Sequence, residues 1–154
     1  VDLVINLQGD EPLMNTNDIR NLHKHMVKSN SEIGTLAANI LNKNLYQDQS
    51  VVKVITDLDL NKAEFPEAVN FSRKISHENK NIYHHLGIYC YKLETLKKFI
   101  SFNQSQNEIQ NKLEQLRALD NNIKINVALA EQSPVGVDTK EDLVAIKKIM
   151  EYKS

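Results

Sequence analysis

An α/β sandwich built on a largely parallel sheet is the fold class this sequence predicts, and three observations predict it. Runs of β-branched and aromatic residues interleave with segments whose apolar residues recur at helical spacing. A chain of 154 residues fits one domain and is long enough to bury a core. No internal repeat or linker divides it, so residues 1–154 read as a single domain.

The elements follow in order. Val1-Asp2-Leu3-Val4-Ile5-Asn6-Leu7 reads as a buried strand that ends in the turn-rich Gln8-Gly9-Asp10-Glu11-Pro12. Ile19, Leu22 and Met26 predict a helix over 18–28. Strands are expected over 35–41, 51–56 and 69–73, then a polar connection over 74–81 and a strand over 84–92. Helices are expected over 94–102 and over 109–119, the second with Ile109, Leu113 and Leu116 on one face. A strand over 123–129 and a loop with Pro134 and Gly136 lead to a last helix over 140–152. Because position 1 already lies in a strand pattern and is not Met, sequence is expected upstream of it.

Bulk composition excludes several classes. Nineteen Lys and Arg against twenty Asp and Glu leave a net charge of -1, which advertises neither nucleic acid nor an anionic membrane as partner. The single cysteine, Cys90, excludes an internal disulfide and suits a reducing cytosol, so a cytoplasmic location is expected. No apolar run approaches the roughly 20 residues of a membrane helix. The four glycines, at 9, 34, 87 and 136, form no Gly-rich phosphate loop.

Five segments can carry chemistry, and each has a plainer reading beside it. Gln8-Gly9-Asp10-Glu11-Pro12 lies at a strand end, where ligands of open α/β sheets bind; Asp10 is either a hard oxygen ligand for Mg²⁺ or a polar turn residue. Thr139 and Asp142 form a capping box that leaves Asp138 just outside the final helix. Asp138 then either joins Asp10 on a metal or interacts with the helix terminus. In His85-Leu86-Gly87-Ile88-Tyr89-Cys90-Tyr91 the alternation puts His85, Gly87, Tyr89 and Tyr91 on one face. His85 and Tyr89 would stand about 13 Å apart along an ideal strand, walling a gap over Gly87 that suits a polyhydroxylated sugar. The alternative is a Tyr-rich strand with a satisfied core histidine. Glu114 and Gln115 lie off the apolar helical face, either to bind hydroxyls or as solvated surface with a Glu114–Arg117 pair. Arg73 ends a strand with a guanidinium suited to a carboxylate.

Taken in order, Asn6-Leu7-Gln8-Gly9-Asp10-Glu11-Pro12, Phe71-Ser72-Arg73, His85-Leu86-Gly87-Ile88-Tyr89, Leu113-Glu114-Gln115-Leu116-Arg117 and Gly136-Val137-Asp138-Thr139 resemble the CMP-Kdo synthetases, the 3-deoxy-manno-octulosonate cytidylyltransferases. The resemblance runs over essentially the whole chain. It implies a nucleotide-sugar transferase, Rossmann-like sandwich with a mixed, largely parallel sheet, truncated on its amino-terminal side, and a homodimer. It further implies transfer of CMP from CTP to Kdo for lipopolysaccharide synthesis, with Asp10 and Asp138 holding catalytic Mg²⁺. Gln8, Arg73, His85, Tyr89, Glu114 and Gln115 would line the Kdo pocket.

Two departures qualify the match. The family's amino-terminal loop that grips CTP lies outside this sequence, so the expectation is that these 154 residues alone do not make CMP-Kdo. The 74–84 connection is shorter than the family's, which bears on loop contacts to the sugar. A sialic-acid cytidylyltransferase and a non-catalytic sugar-binding or dimerisation fragment are the rival readings.

Overall fold

The computed structural model describes residues 2–7, 16–74 and 80–131. Within them lie strands β1 (Leu3–Leu7), β2 (Ile33–Ala38), β3 (Lys53–Thr56), β4 (Ala68–Ser72), β5 (Ile82–Lys92) and β6 (Ile125–Leu129). The helices are α1 (Thr16–Ser29), α2 (Leu93–Ser101), α3 (Gln106–Asn111) and α4 (Leu116–Asp120), with a 3-10 turn at Lys43–Tyr46. The final helix expected over 140–152 and its capping box lie outside the described residues.

All six strands join one sheet in the order β4-β3-β5-β2-β6, with β1 also paired to β5. β5 is its axis. One edge of β5 is taken by β2, while the other is shared end to end by two strands. β1 covers the carboxyl half, from Leu3 opposite Lys92 to Leu7 opposite Ile88. β3 covers the amino half, from Lys53 opposite His84 to Ile55 opposite Ile82. Among the described residues the two strands stop on either side of Gly87.

The α/β class and the mixed sheet expected from the sequence are what the chain forms, but the sheet is not largely parallel. Among the described strands β2–β6 is parallel, and β1–β5, β2–β5, β3–β4 and β3–β5 are antiparallel. The reason lies in the connections. Parallel neighbours need a crossover, usually a helix. No α-helix lies between β2 and β3, or between β3 and β4, among the described residues. β3 and β4, consecutive in sequence, pair antiparallel, and β5 runs against each of its neighbours β1, β2 and β3.

Alternation along β5 sorts its side chains between two cores. Leu86, Ile88 and Cys90 face Leu22 and Met26 of α1 with Leu36, Ala38, Ala128 and Ala130. Tyr83, Tyr89 and Tyr91 face the other way, with Phe71, Phe99, Leu113, Leu116 and Val127. Gly34 lets α1 sit close: a Cβ there would meet Met26 Sδ at 2.7 Å and Leu22 Cδ1 at 2.9 Å.

The helix expected over 109–119 is two helices. α3 starts one turn earlier, at a capping box in which Ser105 Oγ accepts from the Glu108 N–H and Glu108 accepts from the Ser105 N–H. It stops at Lys112, whose φ of 54° and ψ of 44° are left-handed. Leu113-Glu114-Gln115 is then a turn, and α4 begins afresh at Leu116. Leu113 and Leu116 are buried as expected, but Ile109 is 57% exposed.

Candidate functional site

Beside Gly87 lies a cavity of about 290 Å³. Ser50 and Val52 line it from the approach to β3, Arg73 from just beyond β4, and His84, His85, Gly87 and Tyr89 from β5. The turn from Lys112 to Gln115 closes the remaining side. Of the residues the sequence nominated for a sugar pocket, Arg73, His85, Tyr89, Glu114 and Gln115 therefore share one cavity. Gln8, Asp10 and Asp138 lie outside the described residues.

β5 shapes the floor. Thr35 pairs with Tyr89 while the next residue, Leu36, pairs with Leu86, so Gly87 and Ile88 are accommodated in a bulge. A bulge bends its strand. The His85 and Tyr89 rings consequently meet at 5.4 Å between centroids, and the open gap expected between them does not exist. They belong to a run of rings in which Phe71 meets His85 at 5.0 Å and Tyr89 meets Tyr91 at 5.8 Å. His85 is only 7% exposed and Tyr89 only 4%. Both rings are thus buried in the core while also lining the cavity.

Burial sets the electrostatics of this face. Desolvation, with a smaller contribution from His84, pushes the pKa of His85 down to about 3, so its imidazole is neutral. The hydroxyls of Tyr89 and Tyr91 are driven above their ordinary value by desolvation first, with Glu114 adding repulsion, so both stay protonated. Cys90, on the apolar face, is pushed up to about 11 by burial and is an inert thiol.

Arg73 sits differently from a simple surface carboxylate trap. Its guanidinium donates to the carbonyls of Gln49 at 3.3 Å, Asn111 at 3.3 Å and Lys112 at 3.2 Å. It therefore ties the 3-10 side of the cavity to the α3–α4 turn. These bonds use three of the five N–H donors of a guanidinium. Lys53, fully buried, holds the other end of this clamp: its Nζ donates to Asp48 O at 2.6 Å and to Arg73 O. Desolvation lowers its pKa, partly offset by Asp48.

The turn carrying Glu114 and Gln115 is braced from behind. Arg117 does not pair with Glu114 as the sequence allowed; its Nε and Nη2 reach Glu108 at 2.9 and 2.6 Å. The same guanidinium lies 4.8 Å from the Phe99 ring centroid. The helix break explains the change of partner. With Lys112 left-handed, residues 108 and 117 come together and Glu114 turns outward, where it is exposed.

Sequence reasoning missed Lys53, Thr35 and Lys112. A lone lysine inside Val51-Val52-Lys53-Val54-Ile55 was a signal, since a buried ammonium demands partners. Ser105-Gln106-Asn107-Glu108 likewise spelled the capping box. Nothing local announced a left-handed lysine. Among the described residues no group of three or more His, Cys, Asp or Glu is placed to hold a metal ion.

Residues 1–125 match the family model described as cytidylyltransferase. The chain belongs to the cytidylyltransferase family. Curated relatives agree with the resemblance read from the motifs. A 3-deoxy-manno-octulosonate cytidylyltransferase of Bartonella tribocorum is 40% identical over 96% of this chain, and one of Thermodesulfovibrio yellowstonii is also 40% identical over 96% of it. This cytidylyltransferase chain spans about 60% of the length of either relative. Among solved structures, CMP:2-keto-3-deoxy-manno-octonic acid synthetase complexed with CTP matches 99% of the chain, with a TM-score of 0.81 and 29% identity. That match takes in 63% of the solved chain. Apo UDP-glucose pyrophosphorylase, at 9% identity and a TM-score of 0.68, shares the fold alone.

Proposed function

We propose that this chain serves transfer of CMP from CTP to 3-deoxy-manno-octulosonate, giving CMP-Kdo and pyrophosphate for lipopolysaccharide synthesis. One observation carries the reading: five residues nominated from three separate motifs, Arg73, His85, Tyr89, Glu114 and Gln115, line a single cavity. The names of the relatives support the same substrates.

The sugar is rich in hydroxyls and carries one carboxylate. Glu114, Gln115, the Tyr89 hydroxyl and neutral His85 offer a mixed set of donors and acceptors to hydroxyls. The two Arg73 N–H groups not spent on the carbonyls of its clamp would answer the carboxylate, whose charge otherwise repels a triphosphate. Gln8, nominated by its motif, would add a further amide to the set that binds the sugar. In the reaction, the anomeric hydroxyl attacks the α-phosphorus of CTP in line and pyrophosphate leaves; holding that hydroxyl in place is the cavity's contribution.

Asp10 and Asp138 would hold Mg²⁺, for which paired carboxylates are the fitting hard oxygen donors. Bound there, the ion would neutralise charge developing on the phosphoryl oxygens. The reading further includes a homodimer acting in the cytoplasm, with neither nucleic acid nor membrane as partner. No helix among the described residues is long and apolar enough to cross a membrane.

The test is pyrophosphate release from CTP and Mg²⁺ with Kdo or with sialic acid, in a form extended to the length of the relatives. Kdo-dependent release is expected. Release with sialic acid and not with Kdo would overturn the assignment.

A further inference from the structure

The core tells the two ring nitrogens of His85 apart. Its Nε2 lies 2.9 Å from Thr35 Oγ1, and Thr35 is fully buried. The threonine hydroxyl has a single proton, and it is committed elsewhere: Oγ1 donates to Ile88 O at 2.6 Å, with Leu86 O at 3.3 Å. Those carbonyls can only accept. Toward the imidazole the hydroxyl is left with a lone pair, so Nε2 must be the nitrogen that carries hydrogen. Nδ1 is then the bare nitrogen of the neutral ring. His85 lines the cavity, and with Nε2 engaged by Thr35 the one ring atom that could accept from a ligand there is Nδ1.

We propose that Thr35 is a positioning residue that locks His85 as the Nε2–H tautomer, so that Nδ1 presents a fixed, uncharged acceptor which selects a sugar hydroxyl and refuses the carboxylate. This rests on the reading of the cavity as the sugar site. An imidazolium at this point would attract an anion and leave the hydroxyls unread; a neutral acceptor does the reverse. The bulge supplies the geometry, since the Ile88 carbonyl that draws off the Thr35 proton belongs to it. Burial keeps the ring from escaping the arrangement by protonation. The sugar carboxylate must then be answered elsewhere in the cavity, and Arg73 is the cation at hand.

The decisive measurement is nitrogen-15 NMR of the His85 ring at neutral pH, which separates the two tautomers and the imidazolium without any turnover. The Nε2–H form is expected in the unaltered chain. Thr35→Val should release the ring toward a tautomer mixture, and Thr35→Ser, which restores a hydroxyl, should recover the single form. Finding the Nδ1–H form or an imidazolium in the unaltered chain would overturn the proposal, whether or not Thr35→Val folds. Adding Kdo should then shift Nδ1 while leaving the ring neutral. Protonation on adding Kdo would mean that the histidine pairs with the carboxylate, and would overturn the selection of a hydroxyl. A fixed Nε2–H ring that ignores Kdo would instead sink the sugar-site reading and leave the threonine lock standing.

Discussion

Leu86, Ile88 and Cys90 on one face of β5 are wholly buried against α1, whereas His85, Tyr89 and Tyr91 on the other keep 4 to 8% of their surface exposed. The first face is aliphatic apart from the thiol, and only shape matters there, as the close seat of α1 over Gly34 illustrates. On the second face each ring carries a polar atom that must find a partner or reach the cavity. Nearly equal burial thus serves different ends. The α1 side holds the sheet together, and the other side spends part of its packing on holding hydrogen-bonding groups in one orientation.

The largest loss of stability is expected from a cut into the aliphatic face. Leu86→Ala should cost about 2–5 kcal/mol, the usual range for a sealed leucine, read as a lower urea midpoint at unchanged slope. A loss under about 1 kcal/mol would show that α1 collapses into the hole and that this face is not closely packed.

A smaller effect is expected behind the cavity face. Arg117→Met keeps the stem over Phe99 but strips the Glu108 carboxylate of its bidentate partner, for a loss of about 1–3 kcal/mol at neutral pH. Hydrogen bonds from Arg117, and to a lesser degree the Ser105 N–H, hold Glu108 below its ordinary carboxylate value against the opposing effect of desolvation. The depressed folded pKa means that this contribution is complete above the unfolded value of about 4.3. It is lost as pH falls through the folded value. The gap between the unaltered protein and Arg117→Met should therefore close in acid, and a gap that persists would mean the charge is irrelevant.

His85 adds its own pH signature. Its folded pKa of about 3 lies below the roughly 6.5 of an unfolded histidine, so the unfolded chain takes up the proton first. Stability should fall as pH drops between those two values, by up to about 1.4 kcal/mol per pH unit from this one residue. Unfolding curves at stepped pH, with the His85 ring followed by NMR, measure it. A ring that titrates near 6.5 in the folded protein would mean that the cavity face is wet.

The least expected change in stability, with the greatest contrast in binding, is on the turn. Glu114→Gln and Gln115→Ala should each alter stability by no more than about 0.5 kcal/mol, because both residues lie off the core. Each should weaken Kdo binding several-fold by calorimetry. Unchanged binding would remove the turn from the site.

Much of this was legible beforehand. Period-two alternation assigned Leu86, Ile88 and Cys90 to one face and His85, Gly87, Tyr89 and Tyr91 to the other, and it did so from seven consecutive residues. The nominated side chains from 73, 85, 89, 114 and 115 reached one cavity because each motif was read whole. What failed was anything set between distant segments. The Glu114–Arg117 pair was locally sound, but Glu108 competed for the same arginine once the helix broke.

By itself the sequence determined the α/β class, the two-faced strand at its centre and the capping signal that opens α3, since each depends on neighbours a few positions apart. Strand direction was decided only by the tertiary structure, because it depends on how a connecting segment packs. So was the bulge that brings His85 onto Tyr89, since it exists only as a mismatch between β2 and β5. The carbonyls that occupy Arg73 lie 24 to 39 positions away along the chain, and the threonine that fixes His85 lies 50 away. A hydrogen bond has no preference for partners near in sequence, and only the packed sheet chooses among them.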